Sequence, residues 1–327
     1  MVCDSRREAV EAAVDFLQCP NSKTPLNLSV KGDLVSADGK YVYPVRDGVI
    51  CFVSDVTDAQ PPSEDTAGTV REYYDAKGWE ADDDGIFNDT RAFVDTREVP
   101  LEYTRKCMKR LNKYFTGGGR YLLDAGSGPI PHREYLEYSA QFAHRVCVDF
   151  SLAALHIAQS KVGGKGIYIQ GDLTKIPIRD GAIEAITCNH VIYHIPAELQ
   201  AAALRELWRI LRPGGVAVVV YAWSRAPIAG VLRRLARLFM GNGRSTTVNQ
   251  PELYFSAHSL DWFRSQPWPF RYTLDTFRII DNDFMRKYVG NGWSGRTLLR
   301  GLYALQVLFP GFCGRYGAYP AIVIHKD

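Results

Sequence analysis

The chain of 327 residues has no C-x-x-C pair: its seven cysteines, at positions 3, 19, 51, 107, 147, 188 and 313, are odd in number and widely spaced. That pattern gives no disulfide framework and no paired thiolates for zinc, and it fits a reducing cytoplasm. Long apolar runs are missing as well, since no stretch reaches the ~18 consecutive apolar residues that a membrane span requires. Met1 to Glu8 carries acids and lacks the apolar centre of an export signal. Neither export nor spanning is expected. Charge of one sign is also scarce: 39 basic residues stand against 36 acidic ones, for a net charge of +3. So even a balance gives no ground for a DNA partner, and any basic surface has to be local. No internal repeat is evident.

What is present is enough apolar residue, 46% of the chain, for one large domain or two unequal ones. Residues 6–17 place Val10, Val14 and Leu17 at helical spacing, and Cys19 to Leu26 then breaks into turn chemistry. Leu26, Leu28 and Val30, and later Tyr41 and Tyr43, alternate as strands do, with Asp38-Gly39 turning between them. About forty residues of this kind make a small unit that leans on its neighbour for stability. The run Leu17-x-Cys19-Pro20-x-x-Lys23-x-Pro25-Leu26, with Tyr43 to Val49, resembles the small zinc-ribbon-like module that accompanies methyltransferases. Zinc-binding members have cysteine pairs where this chain has Cys19 with Ser22 and none near Leu34 to Ala37, so a metal-free module is expected. Boundaries are set at 1–55 for this small β-rich domain, 56–70 for a polar, proline-bearing linker, and 71–327 for the main domain.

From Tyr121 onward short apolar strands alternate with helical stretches, the pattern of β-α-β units on a parallel sheet. Strands are predicted at 121–125, 145–149, 166–170, 184–189 and 215–222, and helices near 131–141, 151–161 and 197–211. Two late strands are predicted around 272–279 and 321–324, the last of which would end the sheet.

Several motifs in this region carry chemistry. Tyr121 to Pro129 is a strand running into Gly126-Ser127-Gly128, where glycines let the backbone approach a nucleoside closely. Pro129 and Ile130 stand where a dinucleotide fingerprint would continue, which argues for a ligand with no pyrophosphate. Asp149, 25 residues beyond Asp124, ends the second strand and can accept from both ribose hydroxyls; a helix cap before Ser151 is the alternative. Gln170-Gly171-Asp172-Leu173 ends the third strand with a carboxylate that can accept from an adenine amino group, a loop turn being the alternative. Ala185 to Ile195 delivers Asn189 and His190 at a carboxyl end, where open α/β sheets bind ligands. Leu204 to Val216 is an amphipathic helix stopped by Pro-Gly-Gly before a strand.

In this order and spacing the motifs resemble the class I S-adenosylmethionine-dependent methyltransferases over about 120–225. The resemblance implies an α/β fold with a Rossmann-like seven-stranded sheet whose last strand is antiparallel, and S-adenosylmethionine as cofactor. By motif position, the cofactor contacts it implies are Asp124, Gly126, Ser127, Gly128, Asp149, Phe150, Asp172, Leu173 and Asn189. Tyr73-Tyr74-Asp75 with Gly78-Trp79 is similar to the N-terminal lid of such enzymes, so Tyr73 is placed over the methionine end. Methyl transfer from a sulfonium is an in-line displacement, and a hydroxyl acceptor gains from a general base, for which His190 is the first candidate and His258 the second.

Residues 226–320 fall where this fold carries its substrate-specific insertion. Ile228 to Phe239 is a basic amphipathic helix, able to lie on an anionic membrane surface or, as a lid, to pack its apolar face on the sheet. Trp262, Phe263, Trp268, Phe270 and Tyr272 crowd a short span, either as walls of a sugar or ring-binding pocket or as ordinary core. The leading reading is a small-molecule methyltransferase, acting on oxygen of a sugar or other secondary metabolite. An RNA methyltransferase is the second, although Asn189-His190-Val191-Ile192 stands where an Asn-Pro-Pro-Tyr-type tetrapeptide would be and no dense basic stretch occurs. A non-catalytic binding module that keeps the cofactor site is the third.

Overall fold

A computed structural model describes residues 2–53, 79, 87–241, 243 and 254–327. The linker at 56–70 and Tyr73 lie outside the described residues. The chain opens with α1 (Val2–Val14) and a small antiparallel sheet of β1 (Leu26–Leu28), β2 (Leu34–Ser36) and β3 (Val42–Tyr43). Two further short strands follow, β4 (Val45–Arg46) and β5 (Val49–Cys51). Helices α2 (Asn88–Phe93) and α3 (Glu98–Leu111) lead into the alternating region. That region contains β6 (Gly119–Ala125), α4 (Arg133–Leu136), β7 (Phe142–Asp149), α5 (Leu152–Val162), β8 (Gly166–Gln170), β9 (Ile183–Asn189), α6 (Gln200–Ile210) and β10 (Leu211–Val220). The last part contains α7 (Pro227–Met240), α8 (Leu260–Ser265), β11 (Arg271–Arg278), α9 (Asn282–Tyr288), α10 (Trp293–Leu308), α11 (Pro310–Tyr316) and β12 (Tyr319–His325).

The large sheet has nine strands in the order β11-β12-β10-β9-β6-β7-β8-β5-β4, two more than expected. Strands β6 to β10 are mutually parallel where they pair, and β12 runs antiparallel to β10, as the resemblance implied. The two extra strands come from the N-terminal segment: β5 pairs in parallel with β8, and β4 pairs antiparallel with β5. Val49, Ile50 and Cys51 are all buried, an apolar run of the kind that a parallel strand covered on both faces requires. In the sequence the same run reads as the closure of a small unit.

Apolar burial joins the N-terminal segment to the main sheet. Val10, Ala13, Phe16 and Leu17 share one core with Leu123, Ile169 and Ile178. The Phe16 and Tyr121 rings lie 4.6 Å apart. Backbone bonds reinforce the contact, since Arg179 N–H donates to Phe16 O at 2.9 Å and Gln18 N–H to Pro177 O at 3.0 Å. Cys19 is buried, 3.1 Å from the Tyr43 hydroxyl, and accepts from Ser22 N–H at 3.3 Å.

On α6 the buried positions Ala203, Leu204, Leu207 and Ile210 fall at helical spacing, which turns that face onto the sheet and leaves β9 and β10 covered. The helix predicted over 131–141 is instead one turn, α4, followed by a 3-10 turn at 137–139. Here Tyr138 is buried and donates its hydroxyl to Met108 O at 2.7 Å, fastening the segment to α3.

Helix α7 is apolar on two sides. Ile228, Ala229, Leu232 and Ala236 pack inward, where the helix meets α9 and α11. Val231, Leu235, Leu238, Phe239 and Met240 are exposed, Phe239 at 84%. The aromatics between 262 and 272 stack on one another, with Phe263 4.9 Å from both Trp268 and Tyr272 and Trp268 5.0 Å from Phe270. They belong to the core or pack against it, and none of them lines the large cavity described below.

Candidate active site

At the carboxyl ends of β6 to β9 a cavity of about 730 Å³ opens. It is lined by Asp124, Gly126, Ser127, Gly128, Asp149, Phe150, Asp172, Leu173 and Asn189, and by His190. The structure thus gathers around one space every described residue that the motifs assigned to the cofactor. His258 is not in that lining: its ring stacks on Trp262 at 3.6 Å, and Nε2 lies 3.1 Å from Ala197 O.

The glycine turn has its shape for steric reasons. Gly126 has φ +69°, and a Cβ there would come within 2.5 Å of Val191. Gly128 has φ +52° and faces Trp79, which also lines the cavity. Ile130 then takes φ +51°, a left-handed conformation that a β-branched residue adopts only at a cost. Its carbonyl and that of Pro129 both accept from the Lys161 ammonium, at 2.9 and 2.7 Å, which holds the strained peptides in place.

The carboxylates are tied to the backbone around them. Asp149 accepts from Gly128 N–H at 2.7 Å and from Ser151 N–H at 2.9 Å. The helix cap belongs to Ser151, whose hydroxyl accepts from Ala154 N–H at 3.2 Å, so Asp149 is left to fix the turn and face the cavity. Asp172 accepts from Thr174 N–H at 2.7 Å and from the Thr174 hydroxyl at 2.8 Å. Asp172 retains acceptor capacity, because a carboxylate offers about four lone-pair sites. Asp124 differs: it is buried and paired with Arg145, whose side chain is fully buried and also donates to Tyr135 O at 2.8 Å. Its first role is therefore to bind the strand ends together.

Asn189 donates to the Thr187 hydroxyl at 2.8 Å, while its Oδ1 is buried and has no partner among the described residues. A buried acceptor left open at the end of β9 fits a cationic donor such as the ammonium of an amino-acid moiety. With the acidic rim of Asp149 and Asp172, this side of the cavity fits a nucleoside that also carries positive charge.

The opposite side is made of rings. Phe277 and Tyr319 stand 5.0 and 5.2 Å from His190. His190 has φ +62°, its Nδ1 lies 2.9 Å from the Tyr193 hydroxyl, and burial with the nearby Arg278 charge holds its pKa down at about 3. His132 and His194 also line the cavity, and burial lowers each to about 4. All three are neutral imidazoles at physiological pH. His132, Arg145 and Arg278 carry no role in the sequence reading; Arg145 sits within β7 and Arg278 at the end of β11 with no local signal, whereas His132 follows shortly after the glycine turn.

Residues 123–219 match the family model described as a methyltransferase domain, and that segment carries the glycine turn, Asp149, Asp172, Asn189 and His190. The chain is 31% identical over 119 residues to an uncharacterized methyltransferase of Mycobacterium sp., covering 35% of this chain and 44% of that protein. It is 29% identical over 196 residues to a demethylmenaquinone methyltransferase of Mycolicibacterium paratuberculosis, covering 58% of this chain and 76% of that protein. Among solved structures, magnesium protoporphyrin IX methyltransferase from Synechocystis PCC 6803 with bound SAH is 14% identical, with a TM-score of 0.46 over 80% of this chain and 100% of that one. The chain spans about half the length of the first curated relatives it matches. Residues 123–219 are thus similar to a methyltransferase domain and supply the motif side of the cavity, while Phe277, Arg278 and Tyr319 line it from outside that segment.

Proposed function

We propose that the chain is an S-adenosylmethionine-dependent methyltransferase acting on a small molecule. The observation that carries this reading is the gathering of nine motif residues of the matched segment, drawn from the ends of four strands, around one cavity. Asp149 and Asp172 would hold the ribose and adenine, and the open Oδ1 of Asn189 the ammonium. When bound, S-adenosylmethionine supplies a methyl group on a positively charged sulfur.

The chain's own contribution is to align an acceptor, exclude water and manage a proton. His190 presents a neutral ring whose Nδ1 is engaged by Tyr193, which leaves Nε2 for the acceptor. A group whose pKa is held near 3 is a weak base, which suits an acceptor whose proton is already acidic. Phe277 and Tyr319 favour a flat, apolar ring on this side, as do Phe93 and Phe255, which also line it. The stacked aromatics at 262–272 lend a sugar pocket no support. The relative named demethylmenaquinone methyltransferase favours an apolar ring acceptor.

Helix α7 contacts α11, and both helices carry exposed apolar residues, Phe309 at the start of α11 and Phe312 among them, together with Arg234, Arg237 and Arg315. An apolar ridge flanked by arginines suits an anionic membrane surface, from which an apolar acceptor could be drawn.

Titration calorimetry with S-adenosylmethionine and its demethylated product tests the cofactor; a folded sample that binds neither would sink this reading. For the surface, cosedimentation with phosphatidylglycerol vesicles should be lost in Leu238→Glu/Phe239→Glu. Equal sedimentation of both proteins would remove the membrane from the proposal.

A further inference from the structure

Arg278 is 3% exposed, at the end of β11, and lines the cavity opposite the cofactor motifs. A buried guanidinium ordinarily has a carboxylate partner, because an uncompensated charge in a low-dielectric site is costly. Among the described residues none pairs with it. Each nearby acid is already engaged elsewhere: Asp281 with Arg233, Asp283 with Lys287, and Asp95 with Arg97. Arg278 meets neutral groups instead. Its Nη1 donates to the Thr104 hydroxyl at 3.1 Å and to Asn282 Oδ1 at 3.0 Å, and its Nε has no partner. The guanidinium sits 4.9 Å from the centre of the Tyr319 ring. Asn282 is fixed in turn by its bond to Phe93 O, so the cation is held in place from α3, α9 and the end of α2.

We infer that Arg278 is the cavity's receptor for a carboxylate, a planar anion that a guanidinium binds through two parallel hydrogen bonds. The inference rests on the cofactor reading above, and the anion has two possible sources. One is the amino-acid carboxylate of the cofactor. The other is an acid group on the acceptor, for which the place of Arg278 beside Phe277, Tyr319 and His190 speaks.

The test uses the full chain, S-adenosylhomocysteine, and 5′-methylthioadenosine, which keeps the nucleoside and lacks the carboxylate. It adds a probe pair, 4-hydroxybenzoate and its neutral amide, titrated into the protein saturated with S-adenosylhomocysteine. If the cofactor is the source, Arg278→Gln weakens S-adenosylhomocysteine by tenfold or more and leaves methylthioadenosine unchanged. If the acceptor is the source, both nucleosides bind as in wild type and the preference for benzoate over amide, expected at tenfold or more in wild type, is lost. Arg278→Lys, which keeps the charge and fills the same space, should retain part of either effect and guards against a fold defect in the glutamine variant. Wild-type binding with neither preference moved by either variant overturns the inference alone. A wild type that binds neither nucleoside overturns the cofactor reading and this inference with it.

Discussion

The two walls of the cavity are built differently. On the cofactor side, Asp149 and Asp172 accept from backbone N–H groups and hydroxyls a few residues away or on the adjoining glycine turn, so shape and charge are fixed locally. On the other side His190, Phe277, Arg278 and Tyr319 come from β9, β11 and β12, and are held by contacts among rings and by α3 and α9. The first wall is a property of short motifs. The second exists only after the chain has folded.

The largest effect should come from the strut beneath the first wall. Arg145→Met leaves Asp124 buried without its cation and should cost about 3–5 kcal/mol of stability by urea denaturation. A loss below 1 kcal/mol would show that the pair is dispensable. Asp149→Ala removes the acceptor for two backbone N–H groups and should weaken S-adenosylhomocysteine by about 1–3 kcal/mol, roughly tenfold to a hundredfold. Unchanged affinity would take Asp149 out of the site.

The second wall should respond to pH. His132, His190 and His194 stay neutral in the folded protein down to about pH 4, 3 and 4, whereas in the unfolded chain they take up protons near 6.5. Between those limits the unfolded state binds more protons, so stability should fall as pH drops from about 6.5 towards 4. Urea midpoints measured across that window check it, and His190→Phe should flatten part of the slope. The smallest effect is expected at His258, which lies outside the cavity: His258→Gln should leave turnover within about twofold, and a larger loss would bring it back as a base.

The same contrast explains what could be read from the sequence. The succession of β6 to β10 and the glycines and carboxylates at their ends were legible because each rests on local periodicity, a glycine turn, or a carboxylate at a strand end, whereas the antiparallel course of β12 was implied by the resemblance alone. Arg278 was not, since nothing near Phe277 in sequence reveals that Thr104 and Asn282 will meet it. The sheet was undercounted for a similar reason: Val49 to Cys51 has the composition of a buried strand, but its partner Tyr168 to Gln170 is far along the chain. The aromatic cluster at 262–272 shows the limit of composition, which is the same for a ligand-binding wall and for rings that fill space against each other.

The N-terminal strands also bear on how the chain survives its own synthesis. Without them β8, an entirely buried five-residue strand, would be the rim of the sheet, with a row of unpaired amides ready to recruit another chain. β5 covers that row, and the sheet then stops at β4, a strand of two residues carrying Arg46. β4 and β5 thus pair with a strand far along the chain, and they close the edge that would otherwise invite aggregation.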